Sequence, residues 1–257
     1  MTDYEILPSE PVVVLDLEAE LDGLAKRYQG ASGMGIKVLG LLGLPVSGLI
    51  SSLPKEVQSG LGSGTEKALG QAVKLANGSR GLLKDQPDWI NASLTAALGA
   101  AGGVGGVTSA LAELPVTVTV LLRAIQSVAV QHGFDPNHDS VKFDCLQVLA
   151  ANGPFTEDKG ADLSMLEQRA GLAVGGAKWV SAVLVPKLAP VLGQKLAAQA
   201  VPVIGAAMGA ATNYAFTSYY QDIAHVHFRL RKLAVDLDIP PEELVAGMMV
   251  RLEGAPT

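Results

Sequence analysis

Two stretches of this chain carry no charge at all, one between Asp88 and Glu113 and one between Lys195 and Asp222. Each is longer than the roughly 20 residues a helix needs to cross a bilayer. The first run carries Asn91, Ser93, Thr95, Thr108, Ser109 and many glycines, and the second carries Gln199, Pro202, Asn213 and several tyrosines. The Leu, Ile and Phe density of a spanning helix is missing. The expectation is therefore buried or reversibly membrane-docked helices rather than permanent spans.

Composition points the same way. Of the 257 residues, 49% are hydrophobic but only 5% aromatic, so Ala, Leu, Val and Gly supply the apolar content. That favours close helix packing over a β-sandwich, which draws on aromatic and β-branched residues. Charged residues are 17%, below the roughly 25% of ordinary soluble domains. No period-two alternation marks a strand. The fold class expected is all-α, a compact multi-helix bundle of roughly nine to eleven helices by apolar periodicity, with closely packed Gly-rich central helices. A single all-helical domain over 1–257 is expected, with a flexible acidic lead at 1–11 and a weak seam near 153–160.

Charge excludes one class. The net charge of -6 disfavours sequence-independent nucleic-acid binding, which wants a basic surface. The acid gathers at the ends, from Asp3 to Asp22 and from Asp236 to Glu253, and the apolar middle is mildly basic by contrast. That contrast permits contact with anionic lipid. Cys145 is the single cysteine, so no intrachain disulfide forms, and a reducing cytoplasm fits. No basic region followed by an apolar core opens the chain, so no secretion signal is expected.

Local signals divide the chain. Val12 to Tyr28 has the spacing of an amphipathic helix, with Val13, Leu17, Leu21 and Leu24 on one face. Gly30 to Gly35 interrupts it, and Gly40, Gly43 and Pro45 break the apolar run that follows. Gly60 to Gly64 is expected as a loop, with Thr65 capping a helix to Leu83. Asp88 caps a central helix to about Ala112, Glu113-Leu114 marks a break before Pro115, and a helix follows from Val116 to His132. Gly133 ends it, and Asp139 caps a helix over 140–151. A helix from Asp162 to Leu184, a shorter one from Pro186, and a long one from about Val203 to Val235 come next. Pro240-Pro241-Glu242-Glu243 opens the last, with its acids at the positive end of the dipole.

Three sets of residues are candidates for a site. Gly99, Gly103 and Gly106 share a helical face, as do Gly205 with Gly209 and Gly171 with Gly175; small residues at that spacing let backbones approach. The run from Gly102 to Ser109 is not a phosphate loop, because no Lys follows the glycines and the flanks are helical; no nucleotide is expected. Glu113, Arg123, Asn213, Asp222 and Arg229 stand alone in apolar surroundings. A buried charge must be paired, so Glu113–Arg123 or Arg123–Asp222 is an expected pair, and the set reads as the polar floor of an apolar ligand pocket. Asp222 and His225 are weak candidates for a metal site, with Asp135 and His138 as a second Asp-x-x-His pair. Carboxylate bundles, however, place two Glu-x-x-His pairs on helices, with further Glu, and Glu is scarce here. No hydrolase elbow of the Gly-x-Ser-x-Gly type is present. No cofactor and no catalytic group is expected.

Glu113-Leu114-Pro115, then Leu121-Leu122-Arg123-Ala124-Ile125, then Gly133-Phe134-Asp135 together resemble the EcsC family. So do Val201-Pro202-Val203-Ile204-Gly205-Ala206, Asn213, and His227-Phe228-Arg229-Leu230-Arg231-Lys232-Leu233. The resemblance runs from about Leu69 to Leu233. It implies an all-helical, intracellular or membrane-associated protein of a family named from an operon that also encodes an ABC transporter, and it brings no catalytic role. Glu113, Pro115, Arg123, Gly133, Pro202, Gly205, Asn213 and Arg231 match its recurring pattern. Together the expectations are a non-enzymatic protein that binds lipid or a membrane surface, with an apolar cavity between its central helices. A cytoplasmic location is expected, peripheral at the inner face of the cytoplasmic membrane. An accessory of a membrane transporter is the alternative, and a metal-dependent enzyme the third.

Overall fold

The computed structural model describes residues 16–43, 45–79, 106–155, 180–199 and 205–253. These residues are helical, with no β-strand among them. The acidic lead, the Asp88 cap, the glycines from 99 to 105, Gly171, Gly175 and Pro202 lie outside the described residues.

Helix α1 covers Leu17–Gly30. Asp16 caps it by accepting a hydrogen bond from the Ala19 backbone N–H, and Leu21, Leu24 and Ala25 form its buried face. Helix α2, Gly33–Leu42, ends at Gly43 in the left-handed conformation (φ 63°), which a residue without Cβ adopts freely. The short α3, Val46–Leu49, runs into a 3₁₀ turn.

Helix α4 is continuous over Lys55–Ser79, which corrects the loop expected at Gly60 to Gly64 and the cap expected at Thr65. Each helical glycine costs about 1 kcal/mol relative to alanine. Against that, Val57, Leu61, Ala68, Leu69 and Ala72 bury one uninterrupted stripe, and burying a Val or Leu side chain returns about 1.5–3 kcal/mol. Thr65 is fully buried on the same helix.

Helix α5, Gly106–Gln131, runs through Pro115, so the break expected at Glu113-Leu114 is not there. Its C-terminus closes at Gly133 (φ 83°), with Phe134 N–H donating to Ala129 O at 2.9 Å and Gly133 N–H to Val130 O at 2.9 Å. These are the paired bonds of a Schellman stop. Helix α6 is Asp139–Leu149, and its cap is His138, not Asp139. A π-helical turn at Val180–Leu184 leads into α7, Val185–Gln199. Helix α8, Gly205–Leu237, and α9, Pro241–Glu253, complete the described chain.

Helix α8 organises the rest. Its first half packs into the larger apolar cluster, through Phe216, Tyr220 and Ala224. Its last turns pack Val226, Leu230 and Leu233 against Leu21 and Leu24 of α1 and Leu244, Val245 and Met248 of α9, as a second cluster. Tyr28 touches both clusters.

Candidate functional site

Charged residues of α8 reach two other helices. Asp222 Oδ1 accepts from Arg27 Nε at 2.8 Å, and Arg229 Nε donates to Glu20 Oε2 at 3.0 Å. The two pairs step in opposite directions along α1 and α8, so the helices are antiparallel with ionic contacts along the seam. Arg251 of α9 closes the other side of α1, on Asp22 Oδ1 at 2.5 Å and on Glu18. The Asp22 hydrogen bond, with the Glu18 charge beside it, raises the Arg251 pKa above its ordinary value.

The second neighbour is α6. Arg231 Nη1 donates to Asp144 Oδ2, Arg231 Nη2 donates to the Ser140 hydroxyl at 3.2 Å, and the guanidinium lies 4.8 Å from the centre of the Phe134 ring. His227 Nε2 stands 3.5 Å from the same Asp144 oxygen. Ser140 is in turn bonded to His138 Nδ1 at 2.8 Å. All of Asp144, His227 and Arg231 are buried. Burial disfavours the charged guanidinium and pulls the Arg231 pKa below its ordinary value, down to about 10.

Asp144, Gln147, His227 and Arg231 line a cavity closed by Leu230, Pro241 and Val245, where α6, α8 and α9 meet. Its volume is about 20 Å³, room for one water molecule. The space suits a water bridging polar groups and is too small for a lipid headgroup. The arrangement ties α6 to the second half of α8.

The expected ligand floor is not gathered at one place. Asn213 and Arg229 are sixteen residues apart on α8, about 24 Å at 1.5 Å per residue. Asn213 Oδ1 instead accepts from Gln199 Nε2 at 3.2 Å, and Gln199 Oε1 accepts from the buried Lys195 at 3.3 Å. Arg123 lies half-buried on α5, and the Glu113 side chain is outside the described residues. Asp222 is spoken for by Arg27, so the expected Arg123–Asp222 pair gives way to a contact with α1.

Nor do Asp222 and His225 share a ligand set. His225 Nδ1 is 2.9 Å from His132 Nε2, ring edge to ring face, while Asp222 turns to α1. Asp135 accepts from the Asn137 backbone and side chain, and His138 caps α6. Among the described residues no three His, Cys, Asp or Glu side chains come together as a metal site. Asp144 was not among the expected site residues, and His227 entered only within the stretch His227 to Leu233. A single acid in the apolar run Phe143 to Leu149 was the signal for Asp144, on the same reasoning that singled out Arg123.

The apolar helices show a different feature. Leu114–Gln131 and Val180–Gln199 are long and apolar enough to cross a membrane, by length and composition. Only 56% of the first window and 50% of the second are buried.

The EcsC protein family model matches residues 49–233, from the end of α3 almost to the end of α8. The chain belongs to the EcsC family. The match starts earlier than the resemblance over Leu69 to Leu233 and takes in all of α4. Helices α1, α2 and α9 of this EcsC chain lie outside it, so Pro241 and Val245 are walls of the small cavity that the family region does not supply. The chain is also similar to "Uncharacterized protein YdbA" of Bacillus subtilis (strain 168), 31% identical over 123 residues. That alignment covers 45% of this chain and 44% of the relative. No solved structure matches.

Proposed function

We propose that this EcsC-family protein is a non-enzymatic, membrane-surface-binding helical protein, peripheral on the cytoplasmic face. In this reading the whole chain forms a bundle of roughly nine to eleven helices, by apolar periodicity, whose Gly-rich central members pack closely. The observation that carries the reading is the pair of long apolar segments in which about half of each window is short of full burial. Apolar surface left outside a core costs about 25 cal/mol per Å² in water, and a bilayer removes that cost. A lipid held in an apolar cavity between the central helices is a second version of the same reading.

Flotation with liposomes tests it. The protein is expected to rise with vesicles containing anionic lipid. Recovery in the dense, lipid-free fraction with both neutral and anionic vesicles would sink the reading. Co-purification with a stoichiometric integral membrane protein, without lipid binding, would favour a transporter accessory instead.

A further inference from the structure

Helix α2 is apolar on both its faces. Gly35, Val38 and Leu39 are buried against the body of the protein, and the approach there is so close that a Cβ on Gly35 would overlap the Pro154 carbonyl. Outside that buried face Met34, Ile36 and Leu41 are exposed by 37%, 55% and 69%, on the two flanks of Lys37. A soluble surface helix has one apolar stripe and one polar face. Here Lys37 is the one charged residue of the ten.

The charge along this stretch of sequence is one-sided. Between Asp22 and Glu56 the chain carries Lys26, Arg27, Lys37 and Lys55 and no acid, in a protein of net charge -6. Arg27 is engaged by Asp222, while Lys26, Lys37 and Lys55 are exposed. Lys37 projects between Ile36 and Leu41, and its long stem can lie along apolar surface with the ammonium at headgroup level.

We propose that α2 is the element by which this protein docks on an anionic lipid surface, with Met34, Ile36 and Leu41 entering the headgroup boundary and Lys37 meeting lipid phosphates. The proposal rests on the membrane-surface reading above and places its contact outside the family-matched region. Interfacial helices of this kind combine buried apolar area with basic charge. A second copy of the chain is a poorer occupant. Three side chains fall far short of the roughly 800 Å² per partner of a standard interface, and a two-fold contact would set Lys37 near its own copy.

Full-length protein should be sedimented with vesicles of phosphatidylcholine alone and of phosphatidylcholine mixed with phosphatidylglycerol. Wild type is expected to bind the mixed vesicles, and Ile36→Glu/Leu41→Glu to weaken that binding at least about tenfold. Lys37→Glu is expected to weaken it too, and Val250→Glu, equally exposed on α9, to leave it unchanged. Circular dichroism confirms that these surface variants stay helical. If wild type binds and the double variant and Lys37→Glu bind equally well, α2 is not the docking element although the membrane reading stands. If wild type binds neither vesicle, both readings fall. Equal binding to neutral and mixed vesicles overturns the anionic preference. A dimer that the double variant dissociates, with vesicle binding intact, overturns the proposal in favour of self-association.

Discussion

Asp144 and Arg231 form an ion pair between α6 and α8 in which each side chain is less than a tenth exposed. The partners are 87 residues apart, so the pair joins distant segments. Removing one member of a buried pair leaves the other charge uncompensated. Asp144→Ala is expected to destabilise by about 3–5 kcal/mol, read as a lower denaturant midpoint. Replacing both residues by apolar ones of similar volume, as in Asp144→Leu/Arg231→Met, is expected to cost much less than either single change. A cycle in which the two single losses simply add would show that the pair is not coupled.

Tyr219 and Tyr220 predict a loss of stability in alkali. Burial, the larger cause, raises both phenols above the ordinary value of 10.0. A raised folded-state pKa means that the folded protein holds the protons more tightly than the unfolded chain. The stabilising contribution is therefore complete below pH 10.0 and falls as pH rises above it. The lowered Arg231 pKa acts in the opposite sense over the same range, so the comparison should be with Tyr219→Phe/Tyr220→Phe. Wild type is expected to lose more stability than this variant between neutral pH and pH above 10.0; parallel curves would refute the assignment.

Glycines of the helices should respond with opposite signs. A Cβ at Gly193 would lie 2.8 Å from Leu61 Cδ1, whereas at Gly62 and Gly70 nothing lies within 4 Å. Gly193→Ala is expected to cost about 1–3 kcal/mol through overpacking of α7 on α4. Gly62→Ala and Gly70→Ala are each expected to stabilise by about 0.5–1 kcal/mol. Thermal melts of the three variants check this, and a neutral Gly193→Ala would mean that Leu61 can move aside.

The surface ionic contacts should matter far less than the Asp144–Arg231 pair. Asp22 and Glu18, which hold Arg251, are well exposed. Arg251→Ala is expected to cost less than about 1 kcal/mol, and the difference should shrink in high salt, where exposed pairs are screened. A loss as large as that of Asp144→Ala would show that α9 is anchored mainly through Arg251.

The helices with strong periodicity were legible from residues alone. Leu21 and Leu24 announced the buried face of α1, Gly133 its C-terminal stop after α5, and Pro241-Glu242-Glu243 the start of α9. Local punctuation misled at Gly60 to Gly64 and at Pro115. There the burial of neighbours such as Leu61, Leu69, Leu114 and Val118 outweighs the local preference of glycine and proline to end a helix.

The candidate site divides along the same line. That Arg123, Asn213, Asp222 and Arg229 must be accommodated in apolar surroundings follows from the sequence, because an isolated polar or charged group among Ala, Val and Leu has to find a partner or water. Which partner it finds does not. Arg27 took Asp222, Glu20 took Arg229, and Asp144 took Arg231, each across a large sequence separation. Helix class and the need for pairing are local or compositional properties, and one chain states them. Partner choice depends on the crossing of α1, α6 and α9 over α8, and only the packed structure decides that, since no periodicity within a helix records which face of another helix it will meet.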